Sequence, residues 1–137
     1  MAACPCGLGA AYESCCGRYH AGPFHLLAPT PEALMRSRYS AYALGLRDYV
    51  LDTWHVSTRH KHMERFDSGV KWLGLTVRRV WTTGADEGFV EFVARSKPPG
   101  GGPAERLHEL SRFLRVAGHW HYVGGVDSRH VSKAVCV

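Results

Sequence analysis

The chain has no long hydrophobic run. Nothing in its 137 residues approaches the roughly 18 consecutive apolar residues that a membrane-spanning helix needs. Its N-terminus carries cysteines and glycines where a secretory signal would have a basic start and then an apolar stretch. We therefore expect no membrane association and a cytoplasmic location.

Concentrated charge is also missing. Seventeen Lys and Arg against twelve Asp and Glu give a net charge of +5, which provides only weak, non-specific attraction to nucleic acid. The longest basic cluster is the pair Arg78-Arg79 in a predicted strand, and no basic helix or aromatic RNA-binding signature accompanies it. We predict no specific nucleic-acid site.

Hydrophobic content of 45% and charged content of 21% are typical of one folded domain with room for a short appendage.

Four of the five cysteines lie between residues 4 and 16, so several kinds of thiol chemistry must be compared. A Cys-x-x-Cys redox motif is absent, and a reducing cytoplasm disfavours disulfides. A catalytic thiol normally stands alone and uses a distant His with Asn or Asp. Four clustered thiolates instead suit tetrahedral Zn²⁺, with iron as the alternative. The predicted metal ligands are Cys4, Cys6, Cys15 and Cys16.

The metal would also supply folding free energy, because this cysteine-rich segment has too little apolar surface to fold alone. His20 is a possible competing ligand, but four thiolates already complete the set, so we interpret it as a surface or supporting residue. His55, His60 and His62 suggest a second metal site. Histidines two residues apart do not converge on a helix face, and we interpret these as solvated loop residues.

Two helices are predicted after the cysteine cluster. The first has Thr30 as its N-cap and Pro31 at its first position, and it runs to about residue 44, where Gly45 ends it. The second covers about 47–54. On the first helix Arg38 shares a face with apolar residues, so its buried guanidinium needs an acceptor. Arg36 and Arg47 are expected to point to solvent.

Two-residue periodicity begins at residue 71 and predicts four strands, at 71–81, 88–96, 105–116 and 119–126. Ala117-Gly118 is expected to form a two-residue hairpin turn. Helices followed by consecutive antiparallel strands indicate an α+β fold.

The hairpin turn also predicts a register. Pairing residue 116 with 119 puts Phe113 opposite Tyr122, residue 115 opposite Trp120 and Ser111 opposite Gly124. One face then carries Glu109, Ser111, Phe113, Trp120 and Tyr122. If this face meets the helices, Glu109 becomes a partner for Arg38, and Glu91 is a second candidate.

Two resemblances add to this interpretation. The stretch CPCGLGAAYESCCG resembles the SEC-C motif, a small zinc-binding module that also occurs at the C-terminus of SecA, where it contacts a chaperone and the ribosome. The blocks RSRYSAY (36–42), DTWHVSTR (52–59), WLGL (72–75), GFVEFVARS (88–96), HELSRF (108–113) and HWHYVGG (119–125) resemble YchJ-like proteins. The chain departs from that family at Val56, where proline is usual, and it lacks a second C-terminal cysteine motif, which leaves Cys136 as an orphan thiol.

The resemblance implies an NTF2-like cone, in which N-terminal helices pack on a curved antiparallel sheet around a conical cavity, preceded by a small Cys₄ zinc knuckle. It divides the chain into the SEC-C motif (1–22), a linker (23–29) and the NTF2-like α+β domain (30–137). It does not imply a particular activity.

Two functions are compatible with these features. A closed Cys₄ set leaves no open coordination position, which favours a binding or adaptor protein whose knuckle meets a protein partner. The alternative is a small-molecule-binding protein or a hydrolase, isomerase or dehydratase, with Glu109 or Glu91 as base and Arg38 polarising an oxyanion. A structural interpretation also stands, in which Arg38 and a glutamate form a buried ion pair. The candidate pocket residues are Arg38, Tyr42, Trp54, His55, Glu91, Glu109, Ser111, Trp120 and Tyr122.

Overall fold

A computed structural model of the chain describes residues 3–59 and 70–126. The helical elements are a 3₁₀ turn (Tyr12–Ser14), α1 (Gly17–His20), α2 (Pro31–Leu44) and α3 (Arg47–Asp52). The strands are β1 (Lys71–Thr82), β2 (Glu87–Lys97), β3 (Glu105–Val116) and β4 (His119–Gly125). The predicted order, helices before strands, is confirmed. His60, His62 and Cys136 lie outside the described residues.

Helix α2 begins and ends where its capping residues predict. The Thr30 hydroxyl accepts a hydrogen bond from the Ala33 backbone N–H at 3.0 Å, which satisfies a donor that the first turn leaves unpaired. At the other end Gly45 has φ 75° and its N–H returns to carbonyls of the last turn. Only a residue that tolerates the left-handed region can close the helix in this way.

Helix α3 ends at Asp52, two residues before the predicted end, because the chain leaves the helix to join the sheet. Trp54 forms a parallel bridge with Tyr122 of β4. The Tyr122 N–H donates to the Thr53 carbonyl at 2.8 Å, and the His55 N–H donates to the Tyr122 carbonyl at 2.7 Å. Thr53 and Trp54, which were predicted to extend α3, therefore pair with the sheet.

The four strands form one antiparallel sheet in the order β1-β2-β3-β4. Side chains alternate between its faces, and the inner face of β2 and β3 carries the buried residues Val90, Phe92 and Phe113. These pack against α2 through Leu34 and Met35 in one continuous core. The sheet and α2 are thus the two layers between which any cavity of the cone must lie.

The predicted hairpin is correct as far as Phe113 and wrong beyond it. Val116 pairs with His119 and Phe113 with Tyr122, but Ser111 lies opposite Gly125 and not Gly124. An irregularity between Arg112 and Phe113 accounts for the shift. Since β3 advances by one residue there while β4 advances by two, β4 contains one extra residue, which is a β-bulge.

The segment 23–29, predicted to be a linker, contacts the cone. The Trp120 indole N–H donates to the Pro29 carbonyl at 3.2 Å, and His119 Nδ1 lies 3.0 Å from the Leu26 carbonyl oxygen. Tyr19 of α1 and Ala28 are both part of the main core. The N-terminal module therefore packs on the cone. The exact domain boundaries stay a prediction.

Among the described residues no helix is long and apolar enough to cross a membrane.

Candidate metal centre and cone cavity

The four predicted metal ligands converge. The sulfur atoms of Cys4, Cys6, Cys15 and Cys16 all lie within 4.8 Å of one another, and all four residues are buried. An isolated bridge between Ala3 and Ala11 closes the loop that carries the first pair. The second pair lies between the 3₁₀ turn and α1. All four are free thiols, so the cluster is a set of four soft donors directed to one point.

Electrostatics in this cluster oppose loss of all four protons unless a cation is present. Burial and the neighbouring Cys6 thiol raise the pKa of Cys15 to about 11. Burial also raises the pKa of Cys16. Cys4 differs, because hydrogen bonds from the Ser40 hydroxyl and from backbone N–H groups outweigh its burial and lower its pKa to about 7. A divalent metal ion would supply the positive charge that four adjacent thiolates need.

The chemistry of the donors fits a structural metal ion. Thiolates are the ligands that zinc prefers in closed four-coordinate sites, and the same ligands accept iron. The burial of all four cysteines leaves no solvated side from which a substrate could approach. The arrangement can therefore bind a metal ion and fix the fold around it.

Helix α2 holds the knuckle in place. The Cys4 Sγ lies 3.4 Å from the Ser40 Oγ, and Arg36 Nη1 donates to the Cys6 carbonyl at 3.0 Å. Arg36 Nε also donates to Glu32 at 2.9 Å. The prediction that Arg36 points to solvent is wrong: its side chain is only 14% exposed, because the knuckle covers this face of α2. Arg47 is exposed, as predicted.

His20 is not one of the clustered ligands, and it links the knuckle to α2. Its Nε2 lies 2.8 Å from the Ser37 carbonyl oxygen and its Nδ1 lies 2.6 Å from the Tyr12 hydroxyl. Because a carbonyl only accepts, Nε2 carries the proton and Nδ1 accepts from Tyr12. Burial lowers the pKa of His20, in agreement with this neutral form. The interpretation of His20 as a supporting residue is confirmed.

A cavity of about 210 Å³ lies between α2 and the sheet. Its walls are largely aromatic, and Arg38, Glu109 and Ser111 contribute charged or polar groups. The full lining comprises Met35, Arg38, Tyr39, Tyr42, Trp54, Trp72, Phe92, Ala94, Leu107, Glu109, Ser111, Phe113 and Tyr122. Six of the nine predicted pocket residues are in this set: Arg38, Tyr42, Trp54, Glu109, Ser111 and Tyr122.

Arg38 is buried as predicted, with 5% of its surface exposed, but its predicted partner is wrong. Its Nη1 donates to the Val50 carbonyl at 2.8 Å and to the Thr53 hydroxyl at 2.7 Å. The guanidinium also lies 4.5 Å from the ring centre of Tyr122. Among the described residues Arg38 forms no ion pair. Neutral acceptors at the end of α3 take the role that we assigned to a glutamate.

Glu109 belongs to a separate polar group on the sheet side of the cavity. Its Oε2 accepts hydrogen bonds from the Tyr122 hydroxyl at 2.8 Å and from the Ser111 hydroxyl. Burial, with the negative charge of Glu109, raises the pKa of Tyr122, which keeps this hydroxyl a donor. Gly125 borders the group, since a Cβ there would lie 3.2 Å from the Glu109 carboxyl carbon.

Glu91, His55 and Trp120 do not line the cavity, which corrects three of the predicted pocket residues. Glu91 lies on the opposite face of β2 and binds Arg79 and His108, each at 2.6 Å. These hydrogen bonds lower the pKa of Glu91, and the one from Arg79 has the larger effect. Side chains alternate between the two faces of a strand, and the neighbours of Glu91 on both sides face inward. Glu91 therefore faces away from the cavity.

The other two corrected residues have partners elsewhere. His55 Nδ1 lies 2.7 Å from the Ser57 hydroxyl, and Trp120 is packed in the core with its N–H on Pro29. Sequence analysis missed Tyr39 and Trp72, whose rings meet edge to face at 5.5 Å. Helical spacing from Met35 would have pointed to Tyr39. Strand alternation would not have pointed to Trp72, because an irregularity in β1 between Trp72 and Gly74 changes which face the earlier residues occupy.

An antiparallel sheet packed on helices, with a cysteine knuckle on α2, defines the chain as an NTF2-like protein that carries a SEC-C motif. The comparisons agree. Residues 30–125 match the family model described as the middle NTF2-like domain of YchJ, and the chain belongs to this family. The predicted resemblances, and the fold that they implied, are confirmed.

Relatives of known sequence or structure span nearly the same length. The chain is 58% identical over 130 residues to a UPF0225 protein from Chromobacterium violaceum, which covers 91% of this chain and 93% of that protein. The solution structure of a SEC-C motif containing protein from Rhodopseudomonas palustris has a TM-score of 0.76 and 37% identity, over 90% of this chain and 98% of that one. A crystal structure of another SEC-C motif containing protein, from Psychrobacter arcticus, has a TM-score of 0.69 and 27% identity, over 90% and 83% of the two chains.

Proposed function

We propose that the protein is a zinc-binding adaptor, in which one Zn²⁺ on Cys4, Cys6, Cys15 and Cys16 makes the knuckle a rigid surface for a protein partner. The observation that carries the proposal is the convergence of four buried thiols within 4.8 Å. Zinc is preferred to iron because a closed thiolate tetrahedron satisfies it without any redox role. Reduced thiols also fit a cytoplasmic location.

The shape of the knuckle supports the adaptor role. Residues 7–10 are exposed, and Gly7 and Gly9 have φ of 87° and 88°, a left-handed conformation that glycine adopts without strain. Between them Leu8 is 57% exposed. A metal ion on the flanking cysteines would hold this apolar tip in one conformation, which lowers the entropy lost on binding a partner.

Metal analysis tests the first half of the proposal. Protein purified without added metal should contain about one zinc per chain, and Cys15→Ser with Cys16→Ser should lose it. Iron in place of zinc would overturn the identity of the metal. A content far below one metal ion of either kind would overturn the metal site itself.

The adaptor role needs a surface variant that leaves the metal site intact. Leu8→Ser removes the exposed apolar tip, and Val56→Ser, at a residue that is 78% exposed after α3, is the matched control. In affinity capture from a cytoplasmic extract, Leu8→Ser should lose specific partners that Val56→Ser and the unchanged chain retain. The same partners with all three proteins would contradict the adaptor role.

The cone cavity supports a second candidate function, the binding of a small molecule. A buried arginine without an ion pair among the described residues lines a space with aromatic walls. Such cavities with a few polar groups are the usual form of ligand sites. Tryptophan fluorescence, read from Trp54 and Trp72 at the cavity wall, should respond to a ligand of the right size.

A further inference from the structure

We propose that the cone cavity binds a small aromatic monocarboxylate, with the carboxylate on Arg38 and the ring between the aromatic walls. This inference rests on the ligand-binding function proposed for the cavity and names the class of its ligand.

The cavity volume limits the ligand to about one ring. At about 210 Å³ the space is smaller than the roughly 300–1,000 Å³ of sites for drug-sized ligands. An engineered apolar cavity of about 150 Å³ in another protein holds benzene. The somewhat larger cavity in this protein therefore accommodates one ring with a small substituent. A nucleotide or a lipid chain would not fit.

The walls favour an aromatic ring. Tyr39 and Trp72 meet edge to face, with ring centres 5.5 Å apart and planes at 78°. Trp54 and Tyr122 do the same at 5.6 Å and 72°. A ring bound among these groups can present an edge or a face to each of them, which is the geometry that aromatic pairs prefer.

The charge of Arg38 favours a carboxylate. Arg38 is 5% exposed and lines the cavity, and its Nη1 donates to a carbonyl and to a hydroxyl, both of them neutral. Glu109 attracts the guanidinium from the same cavity, but the two groups form no ion pair. A buried cation is costly unless an opposite charge lies directly beside it. The guanidinium has five N–H donors in a planar fork, which matches the two oxygens of a carboxylate.

Glu109 explains why a single negative charge is expected. It lines the same cavity, and Tyr122 and Ser111 hold it at the sheet wall. A second carboxylate on the ligand would approach this negative charge in a poorly solvated space and would be repelled. A ligand with one carboxylate can place it at Arg38 and leave only the ring near Glu109.

Three probes of similar size test the ligand class on the full-length, metal-containing protein. Benzoate carries the proposed charge, benzamide has the same shape without charge, and benzylamine carries the opposite charge. Isothermal titration should give saturable binding of benzoate at least about tenfold tighter than benzamide, since a buried charge pair contributes more than a neutral hydrogen bond. Benzylamine should bind more weakly than either.

Two variants locate the site. Glu109→Gln removes the repelling charge and should tighten benzoate binding severalfold. Leu107→Trp fills the cavity from a lining residue that is 50% exposed and should abolish the binding of all three probes, with circular dichroism to check the fold. Leu107→Phe, a smaller change, serves if the tryptophan variant does not fold.

The outcomes separate the two levels of the proposal. If benzamide binds as tightly as benzoate, or Glu109→Gln weakens benzoate, the carboxylate class is overturned while the cavity function stands. If no probe binds at millimolar concentration, or a folded Leu107 variant binds benzoate unchanged, the cavity function fails and this inference with it.

Discussion

Removal of the metal from the knuckle should destabilise the whole cone. Within the described part of the chain, the hydrogen bonds between the knuckle and α2 include these three: Cys4 with Ser40, Arg36 with the Cys6 carbonyl, and His20 with the Ser37 carbonyl. At about 1 kcal/mol each they contribute roughly 3 kcal/mol. Burial of Tyr19 in the core adds about 2 kcal/mol. If the knuckle detaches without metal, about 5 kcal/mol of unfolding free energy is lost.

That loss is large compared with the total stability of roughly 5–15 kcal/mol of a typical domain. With a urea dependence of about 2 kcal/mol per molar, typical of a small protein, the unfolding midpoint should fall by about 2.5 M. The assay is urea denaturation before and after chelation, with metal content confirmed by mass spectrometry. A midpoint unchanged in verified metal-free protein would refute the claim that the metal holds the knuckle on α2.

Three further predictions follow from single contacts. Thr30→Ala removes the N-cap of α2 and should cost about 1 kcal/mol of unfolding free energy in urea denaturation; no loss would contradict its capping role. Gly17→Ala should lower zinc affinity in a chelator competition, because a Cβ there would lie 2.7 Å from the Tyr12 carbonyl oxygen; an unchanged affinity would show that the turn adapts. Glu91, whose pKa Arg79 lowers from 4.5, stabilises the fold above that pH and loses its effect as pH falls through its folded pKa. Unfolding midpoints should therefore drop less below pH 4.5 in Glu91→Gln than in the unchanged chain, and equal drops would contradict this assignment.

The predictions that succeeded rest on local rules. The spacing of Cys4, Cys6, Cys15 and Cys16 predicts a convergent set of thiols, because metal coordination requires donors in close pairs, and the four sulfur atoms do lie within 4.8 Å of one another. Two-residue alternation locates all four strands, since the strand backbone enforces it. Capping residues locate α2, because each satisfies hydrogen-bonding groups within its own turn.

The predictions that failed depend on contacts between distant segments. The bulge in β4 moves Gly124 and Gly125 relative to Ser111, and a glycine in a strand indicates a possible bulge without fixing its position. Arg36 is covered by the knuckle, thirty positions away in sequence. The acceptors of Arg38 are a carbonyl and a hydroxyl at the end of α3, and any helix end supplies such carbonyls. Chemical complementarity alone suggested a glutamate, but geometry decided otherwise.

Helix α2 connects the two candidate sites, because different faces of it serve each. The side chains of Arg36 and Ser40, one turn apart, contact the knuckle, whereas Arg38 and Tyr42, also one turn apart, line the cavity. A close-packed helix does not shift on one side alone. Loss of the metal should therefore change tryptophan fluorescence from the cavity and weaken ligand binding there, even before the cone unfolds.

The Trp72→Phe variant provides the control for this coupling. Trp72 lies 5.9 Å from Tyr42 between ring centres, and Trp54 lies 5.3 Å from the Arg38 guanidinium. The fluorescence change on chelation should therefore be smaller in this variant, with Trp54 as the remaining reporter, while the loss of ligand affinity is unchanged. Benzoate affinity and cavity fluorescence that do not respond to verified metal removal would mean that the two sites act independently. In that case the sheet alone would hold α2 in place, and the metal would fix only the conformation of the knuckle.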